Sequence, residues 1–571
     1  MNELHLSPSG DDSAPGTPEH PLATLQHARD RARTLTGPVT VILHEGTHTL
    51  DHPLELTEAD SEVTYRGRGE AVVSGGRTIT GWRERDGVWR AEVGDLDTRR
   101  LTVGGRRAER ASISGIPGNV TRTDTGYVTD STEPQRWANP ADVEFVYTGV
   151  YPWTEARCPV AAVSGDDRST TITMAQPAFD WANDLYNSAV PWEDAESHGP
   201  GLPTRVENGA AFLTEPGTFA LDRTEPGRHI LLYRPRPGEH PERTTVVAAA
   251  LETLVNATGT RDLAFRDLTF ADATWLRPSR PEGFLHYHGT GFYDGGPIDK
   301  VSFGENAWVT VPTASKTIPA NIVFTGTARV TVEDCRFTAL GATALEFSGG
   351  TGALVRGNVF EDVSGGGVAV GGCRGARVEN NWIHHIGLDY PGSPGIALTA
   401  GHDSTIAHNQ VNDVPHCGIV IGPGERTRVL RNLTVRTLSV LADGGGIYLS
   451  GPQGASHDDG ALVQGNVISD TLTPYNFGLY TDYGASWVTV EGNVVRRGDN
   501  TAVLTVSPPL EHVVYRGNVW DADPVGAAEP PEGVTLEDNT TLTDPDAFDA
   551  RTAGTTALAG LEPVYRHLLS R

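Results

Sequence analysis

The chain has 571 residues, a formal net charge of -28, 66 glycines, 38 prolines and an aromatic content of only 7%. That length exceeds one ordinary globular domain, and so large an acidic excess excludes nucleic acid and anionic membrane surfaces as partners, leaving a neutral ligand as the best fit. No segment approaches 18 consecutive apolar residues, and the opening MNELHLSPSGDDSAPG has no apolar core of a signal peptide, so neither a membrane span nor a leader is expected. The expected location is cytoplasmic, or secreted if a signal was removed, and the expected state is a monomer or small homo-oligomer.

In chain order, HPLATLQHARDRARTL spaces Leu22, Leu25, Ala28, Ala32 and Leu35 by threes and fours between Pro21 and Gly37, which predicts one amphipathic helix capping an open end. PVTVILHEGTHTL and SEVTYRGRGEAVVSGG then read as strands. From about Gly81 to Thr245 the pattern changes, and six of the eleven tryptophans (Trp82, Trp89, Trp137, Trp153, Trp181 and Trp192) fall there. Large indoles need a core of their own, so 81–245 is predicted as an inserted β-rich, sandwich-like domain. Strand signals resume at LETLVNATGTRDLAFRDLTF, pause in a loop-rich stretch from Trp275 to about Ala320, and continue to Val525. The expected division is 1–80, 81–245, 246–540, and an irregular tail at 541–571.

The later region repeats. Asn358, Asn381, Asn409, Asn432, Asn466, Asn493 and Asn518 occupy one slot in segments such as LVRGNVF, RVENNWI and TVEGNVV, with Cys335 in the slot before them. The spacings are 23, 23, 28, 23, 34, 27 and 25 residues. A near-constant period built from short β-branched runs, with no helical periodicity, predicts an all-β, right-handed parallel β-helix. Asparagine suits a repeated corner because it tolerates left-handed backbone and its amide can bond the coils above and below.

Aligning GGGVAVGG, SPGIALTA, HCGIVIGP, GGGIYLSG and FGLYTDYG places Val368, Ile396, Ile419, Ile447 and Leu479 in one buried column. Ala369, Ala397, Val420, Tyr448 and Tyr480 then form the column facing the other way. Asp482 lies two residues beyond Tyr480 and shares its face, where other coils offer Gly371, Thr399, Gly422 and Ser450. Asp443 precedes three glycines, in a turn that leaves room for a ligand. The two aspartates fit either a pair working across a groove or turn-stabilising Asx bonds. Strand alignment leaves them several residues apart along the coil, so the glycine turn has to bring them together. Glu346, in TALEFSGG, shares the Tyr448 and Tyr480 column several coils away and fits a solvated groove face or a further acid.

No metal or other cofactor is predicted. His44-Glu45-Gly46-Thr47-His48 matches H-E-x-x-H in letters only, because it follows the strand PVTVIL and holds a central glycine, whereas zinc binding needs both histidines on one helix face. His384, His385, His402, His408 and His416 match no ligand spacing and read as substrate-contacting or satisfied histidines, His416 among the former. Cys158, Cys335, Cys373 and Cys417 form no paired motif and are expected as buried thiols.

Four stretches together resemble the parallel β-helix glycoside hydrolases, in particular glycoside hydrolase family 141 and its relatives: LSPSGDDSAPGTPEHPLATLQHAR, LTEPGTFALDR followed by LLYRPRPGE, LADGGGIYLSG, and FGLYTDYGAS. The resemblance covers most of the chain. It implies a β-helix with an inserted β-sandwich and a pair of aspartates hydrolysing a glycoside, carried here onto Asp443 and Asp482. One position departs, since the residue after the second aspartate is often Glu in such sequences and is Tyr483 here. Hydrolysis needs one carboxyl to protonate the leaving oxygen and another to attack or activate water. The substrate expected is a neutral plant-type or microbial glycan such as a fucoside, xyloside or arabinoside, with Trp275, Tyr448 and Tyr480 as sugar-stacking rings or as rings packed under a loop, and Glu346 and His416 as groove contacts. The alternatives are a polysaccharide lyase, which wants Lys, Arg or calcium beside a uronate, and a non-catalytic carbohydrate-binding solenoid.

Overall fold

The computed structural model describes residues 2–189, 196–302, 306–503 and 510–570. They form two compact units, one of Met1–Gly75, Thr253–Ala271 and Pro319–Arg571, the other of Gly76–Glu252 and Asp272–Ile318.

The first unit is a parallel β-helix whose strands form one continuous sheet, 32 strands among the described residues. Asn2–Leu6 pairs in parallel with Val39–Thr49, and that strand with Val63–Ser74. The chain leaves at Gly76, yet Ala264–Arg266 and Thr269–Ala271 return onto Val63–Ser74. It leaves again at Asp272, and Ala320–Ala328 settles on Val255–Thr258. Every excursion rejoins the open ladder because an unpaired strand edge would strand its N–H and C=O groups.

Inside the helix, alternation sends one residue in two inward, and like side chains stack over like. Phe324 lies on Phe347 at 4.8 Å and Phe337 on Phe360 at 4.5 Å, both nearly parallel. The outward column forms as the sequence alignment requires, with pairings Glu346–Ala369, Ala369–Ala397, Ala397–Val420, Val420–Tyr448 and Tyr448–Tyr480.

The asparagine slot is a continuous ladder. From Asn358 to Asn518, each amide oxygen of the next coil accepts both the backbone N–H and the side-chain N–H of the asparagine before it, at 2.8–3.1 Å, and Asn539 closes the run. The left-handed backbone is not at the asparagine, however. It is one residue earlier, at Asp334, Gly357, Asn380, His408, Arg431, Gly465, Gly492, Gly517 and Asp538. The residue in that slot turns the chain while the asparagine itself is buried and fully bonded, which is why the slot accepts Arg, His and Asp as well as Gly.

Thr24 caps the helix Leu25–Ala32, which buries Leu25, Ala28 and Ala32. At the other end the coils continue to Thr540–Thr541, past the expected limit near Val525. The supposed irregular tail is ordered: Asp544 caps the helix Pro545–Leu558, and a 3-10 helix follows at Pro563–Ser570. Phe548 and Ala559 pack on Val467, Val494 and Val519, while Leu561 and Leu568 pack on Val359. A helix serves here because it covers a row of valines while bonding its own backbone.

The second unit is wider than 81–245, because it also takes in the loop-rich stretch up to Ile318. Phe284–His288 pairs antiparallel with Glu155–Gly165, so the two excursions share one sheet. One core gathers Trp89, Phe219, Leu231 and Tyr233, and another gathers Trp137, Phe145, Phe179 and Tyr186, with Trp153 and Trp181 against its edge and Trp82 against the first. Trp192 lies outside the described residues.

Candidate active site

Asp443 and Asp482 come from adjacent coils of the β-helix. Asp482 lies in the strand Phe477–Glu491, opposite Ser450 of Gly445–Pro452. Asp443 sits just before that second strand with a left-handed backbone, φ 52°, and its N–H donates to the carbonyl of Tyr475 at 2.7 Å. The three glycines that follow answer to crowding. A Cβ on Gly444 would come within 2.7 Å of His416 Nε2, and one on Gly445 within 2.9 Å of Tyr480 Cβ. The chain therefore passes between the coil beneath and the tyrosine above, which carries Asp443 back toward Asp482.

The two carboxylates are held crosswise. The hydroxyl of Tyr480 donates to Asp443 Oδ1 at 2.7 Å, and that of Tyr448 donates to Asp482 Oδ2 at 2.7 Å. Each tyrosine thus holds the acid of the other coil, and the two rings meet edge to face at 5.0 Å. Phe477 packs on Tyr480 at 4.5 Å, and Cys417 and Val420 complete an apolar cluster beneath them. Both aspartates remain half-buried, so each keeps a side open to solvent.

This setting makes the acids weak. Burial, and after it the charge of Asp482, pushes Asp443 up to about 7, against which the Tyr480 hydroxyl works. Burial also raises Asp482, but it receives more donors that favour its charge: the Tyr448 hydroxyl, the Tyr483 backbone N–H and the Tyr480 hydroxyl. The environments push the two acids apart, with Asp443 the better proton holder and Asp482 the better anion.

Several expected contacts are placed differently. Tyr448 and Tyr480 are 4% and 6% exposed, so their rings are packed and their hydroxyls do the holding, in place of sugar stacking. Trp275 is buried in the second unit, edge-on to Phe284 and Phe292, and is a core residue there because its ring fills an aromatic cluster. His416 is 2% exposed with Nε2 at 3.0 Å from the Ala442 carbonyl; it supports the Asp443 turn from beneath and faces no groove. Glu346 is half-buried in the tyrosine column, its carboxyl raised by burial, but four coils from Tyr448, about 19 Å at the usual coil spacing.

The sequence reading missed Phe477 and Tyr475, although TPYNFGLYTDYG packs four aromatics into twelve residues beside the second aspartate. The H-E-G-T-H segment lies on the strand Val39–Thr49, where His48 Nε2 meets the His44 carbonyl at 2.9 Å and His44 Nε2 meets His5 Nδ1 at 2.9 Å. His384 stacks on Trp382 and meets His385 at 2.9 Å, and His408 meets the Gly560 carbonyl at 3.1 Å, so these side chains are engaged within the coils. Among the described residues, no group of three or more His, Cys, Asp and Glu is arranged to hold a metal ion. All four thiols are free and buried.

Comparison with known proteins agrees with this architecture. A family model described as a right handed beta helix region matches residues 320–521, the coils that carry both aspartates. No curated protein matches the sequence. Among solved structures, one described as a glycoside hydrolase superposes with a TM-score of 0.78 at 22% identity, covering 99% of this chain and 100% of that one. XylC in complex with xylose superposes with a TM-score of 0.52 at 14% identity, covering 90% of this chain and 75% of that one. The fold of the first unit is therefore a right-handed parallel β-helix, and the likeness to the first of these structures extends over nearly the whole chain.

Proposed function

We propose that this protein is a glycoside hydrolase acting on a neutral glycan, with Asp443 and Asp482 as its catalytic pair. The observation that carries the reading is the crossed arrangement: two half-buried carboxyls on adjacent coils, each bonded by the tyrosine of the other coil. Asx turns need no such pairing, since those bonds run to nearby backbone and leave carboxyls strong. Here the carboxyls are weakened, which suits proton transfer near neutrality.

In this reading Asp443 protonates the glycosidic oxygen as the bond from C1 to that oxygen breaks. Asp482, kept anionic by its donors, bonds to C1 or takes a proton from the attacking water. Tyr480 and Tyr448 hold the two acids in place and shield them on one side. The xylose held by the XylC fold neighbour makes xylosides the first substrates to try, ahead of fucosides and arabinosides. A lyase is less well supported, because a uronate would face two acids and because both lysines, Lys300 and Lys316, lie in the second unit.

The test is a panel of 4-nitrophenyl xylosides, fucosides and arabinosides in both anomeric forms, read by release of 4-nitrophenol. Turnover of one neutral glycoside is expected. Release of unsaturated uronates from acidic polysaccharides, with no glycoside turned over, would replace this reading with the lyase.

A further inference from the structure

Tyr475 is an exposed aromatic residue bonded through its backbone to Asp443. It is 44% exposed, yet its backbone is left-handed, φ 58°, a conformation that disfavours a large L side chain. Neighbouring coils hold it there from both sides. Its N–H donates to Asp499 Oδ2 at 2.7 Å in the coil after it, and its carbonyl accepts the N–H of Asp443 at 2.7 Å from the coil before. Asp499 is itself tied down, donating its N–H to Thr471 Oγ1 at 3.1 Å. Left-handed residues other than glycine recur along the coils, Leu438 and Trp487 among them; what sets Tyr475 apart is that its carbonyl is bonded to Asp443 while its side chain stays exposed.

The ring is also placed to be used. It meets Phe477 edge to face at 5.8 Å, so an unbroken series of rings runs from Tyr475 through Phe477 and Tyr480 to Tyr448. The inner rings of that series are buried, and Tyr475 ends it at the surface. Leu472 in the same corner and Val440 in the corner of the preceding coil are 51% and 49% exposed, and Leu472 N–H donates to the Thr437 carbonyl, which fixes one corner on the other. Exposed apolar side chains therefore lie in the two corners that flank Asp443 along the chain. Solvent-facing aromatic and aliphatic side chains grouped at the mouth of a site are suited to a flat apolar face.

We propose that Tyr475 is the platform of a leaving-group subsite, in which the substrate portion departing from Asp443 lays a flat apolar face, that of a pyranose or an aryl ring, on the phenol. This rests on the hydrolase reading with Asp443 as proton donor, and it makes Tyr475 a specificity-determining residue. A substrate whose leaving group has no such face gains nothing from it.

The experiment compares two variants on three substrates of whichever sugar the wild type hydrolyses fastest: the 4-nitrophenyl glycoside, the disaccharide and the glycosyl fluoride. Tyr475→Gly is expected to raise KM roughly tenfold on the first two while the fluoride changes about twofold or less, and to melt at the same or a higher temperature, since glycine accepts the left-handed backbone. Tyr475→Phe keeps the ring and should recover most of the loss. Loss on the disaccharide alone or on the aryl glycoside alone identifies which of the two faces the platform takes. Equal loss on all three substrates, or no loss on any, overturns the subsite and leaves the hydrolase reading standing. Absence of turnover of any glycoside by the wild type overturns both.

Discussion

Two corners of the same β-helix stand in contrast. At the asparagine corner the repeat is kept coil after coil, and the buried amides from Asn358 to Asn518 bond to the coils on either side. At the corner that carries Asp443 the repeat is broken. The longest gap between ladder residues, 34, brackets this aspartate and the three glycines after it, Asp482 follows in the next coil, and both acids are weakened. At the regular corners the asparagine amides are bonded and buried, whereas the irregular one keeps partial exposure and raised pKa values together, the combination that the proposed chemistry uses.

The contrast is broken most readily at the ladder. Asn432→Ala removes the acceptor of Asn409 and the donor to Ile406 and Asn466, leaving several buried groups unsatisfied. A loss of about 3 kcal/mol or more is expected from that count, read by denaturant unfolding, with the kcat of the remaining folded protein unchanged. If the variant unfolds like the wild type, the ladder is not what stabilises the coils.

Tyr480→Phe works on the other corner. It removes the hydroxyl that bonds Asp443 Oδ1 and also favours the Asp482 anion, while the packed ring stays, so activity should fall roughly tenfold or more at a melting temperature within about 2 °C of the wild type. Loss of melting temperature without loss of rate would reverse the roles of the two corners. Gly445→Ala should act in the same direction through crowding, since the added methyl meets Tyr480 at 2.9 Å.

A smaller effect sharpens the contrast through pH. Asp443 is raised from 3.8 to about 7 in the folded protein, so between these values the folded state holds a proton that the unfolded state has released. Its protonation supports the fold most fully below about pH 4, and that support is lost as pH rises through 7. Asp443→Asn cannot lose that proton, so its melting temperature should gain on the wild type between pH 5 and pH 8, by about 2 °C or more. A constant difference across that range would mean that the carboxyl is not weakened. The wild-type rate should also fall above pH 7 as Asp443 loses its proton. The smallest expected effect is from EDTA, which should leave the rate within about twofold, read on the same glycoside; complete loss restored by added metal would replace the two-carboxylate scheme.

Much of the repetitive part was legible because register in a β-helix is set by local alternation and fixed spacing. The column from Ala369 to Tyr480 and the opposition of Ser450 to Asp482 follow from aligning glycine-led segments. The left-handed slot fell one residue from its expected place because the sequence shows which residue repeats, and the turning position does not repeat in kind: Asp334, Gly357 and Arg431 all fill it. Trp275 was misplaced because a tryptophan in a loop-rich stretch looks the same whether it faces a groove or a second core, and the pairing of Phe284–His288 with Glu155–Gly165 spans more than a hundred residues. The aspartates could be named, but their crossing could not. It depends on two tyrosine hydroxyls reaching diagonally between coils, and strand periodicity says only which face a side chain takes.

The central claim is that the crossed aspartates are catalytic, and the rate of Asp443→Asn and Asp482→Asn on the best 4-nitrophenyl glycoside tests it most directly, with melting measured on the same samples. The amide keeps the size of each side chain and can accept the tyrosine hydroxyl, but it can neither give the proton nor act as the anion, so a loss of about a hundredfold or more is predicted for each variant in a folded protein. Near-native rates in both variants, with unchanged melting, would contradict the account and return these residues to the role of turn formers.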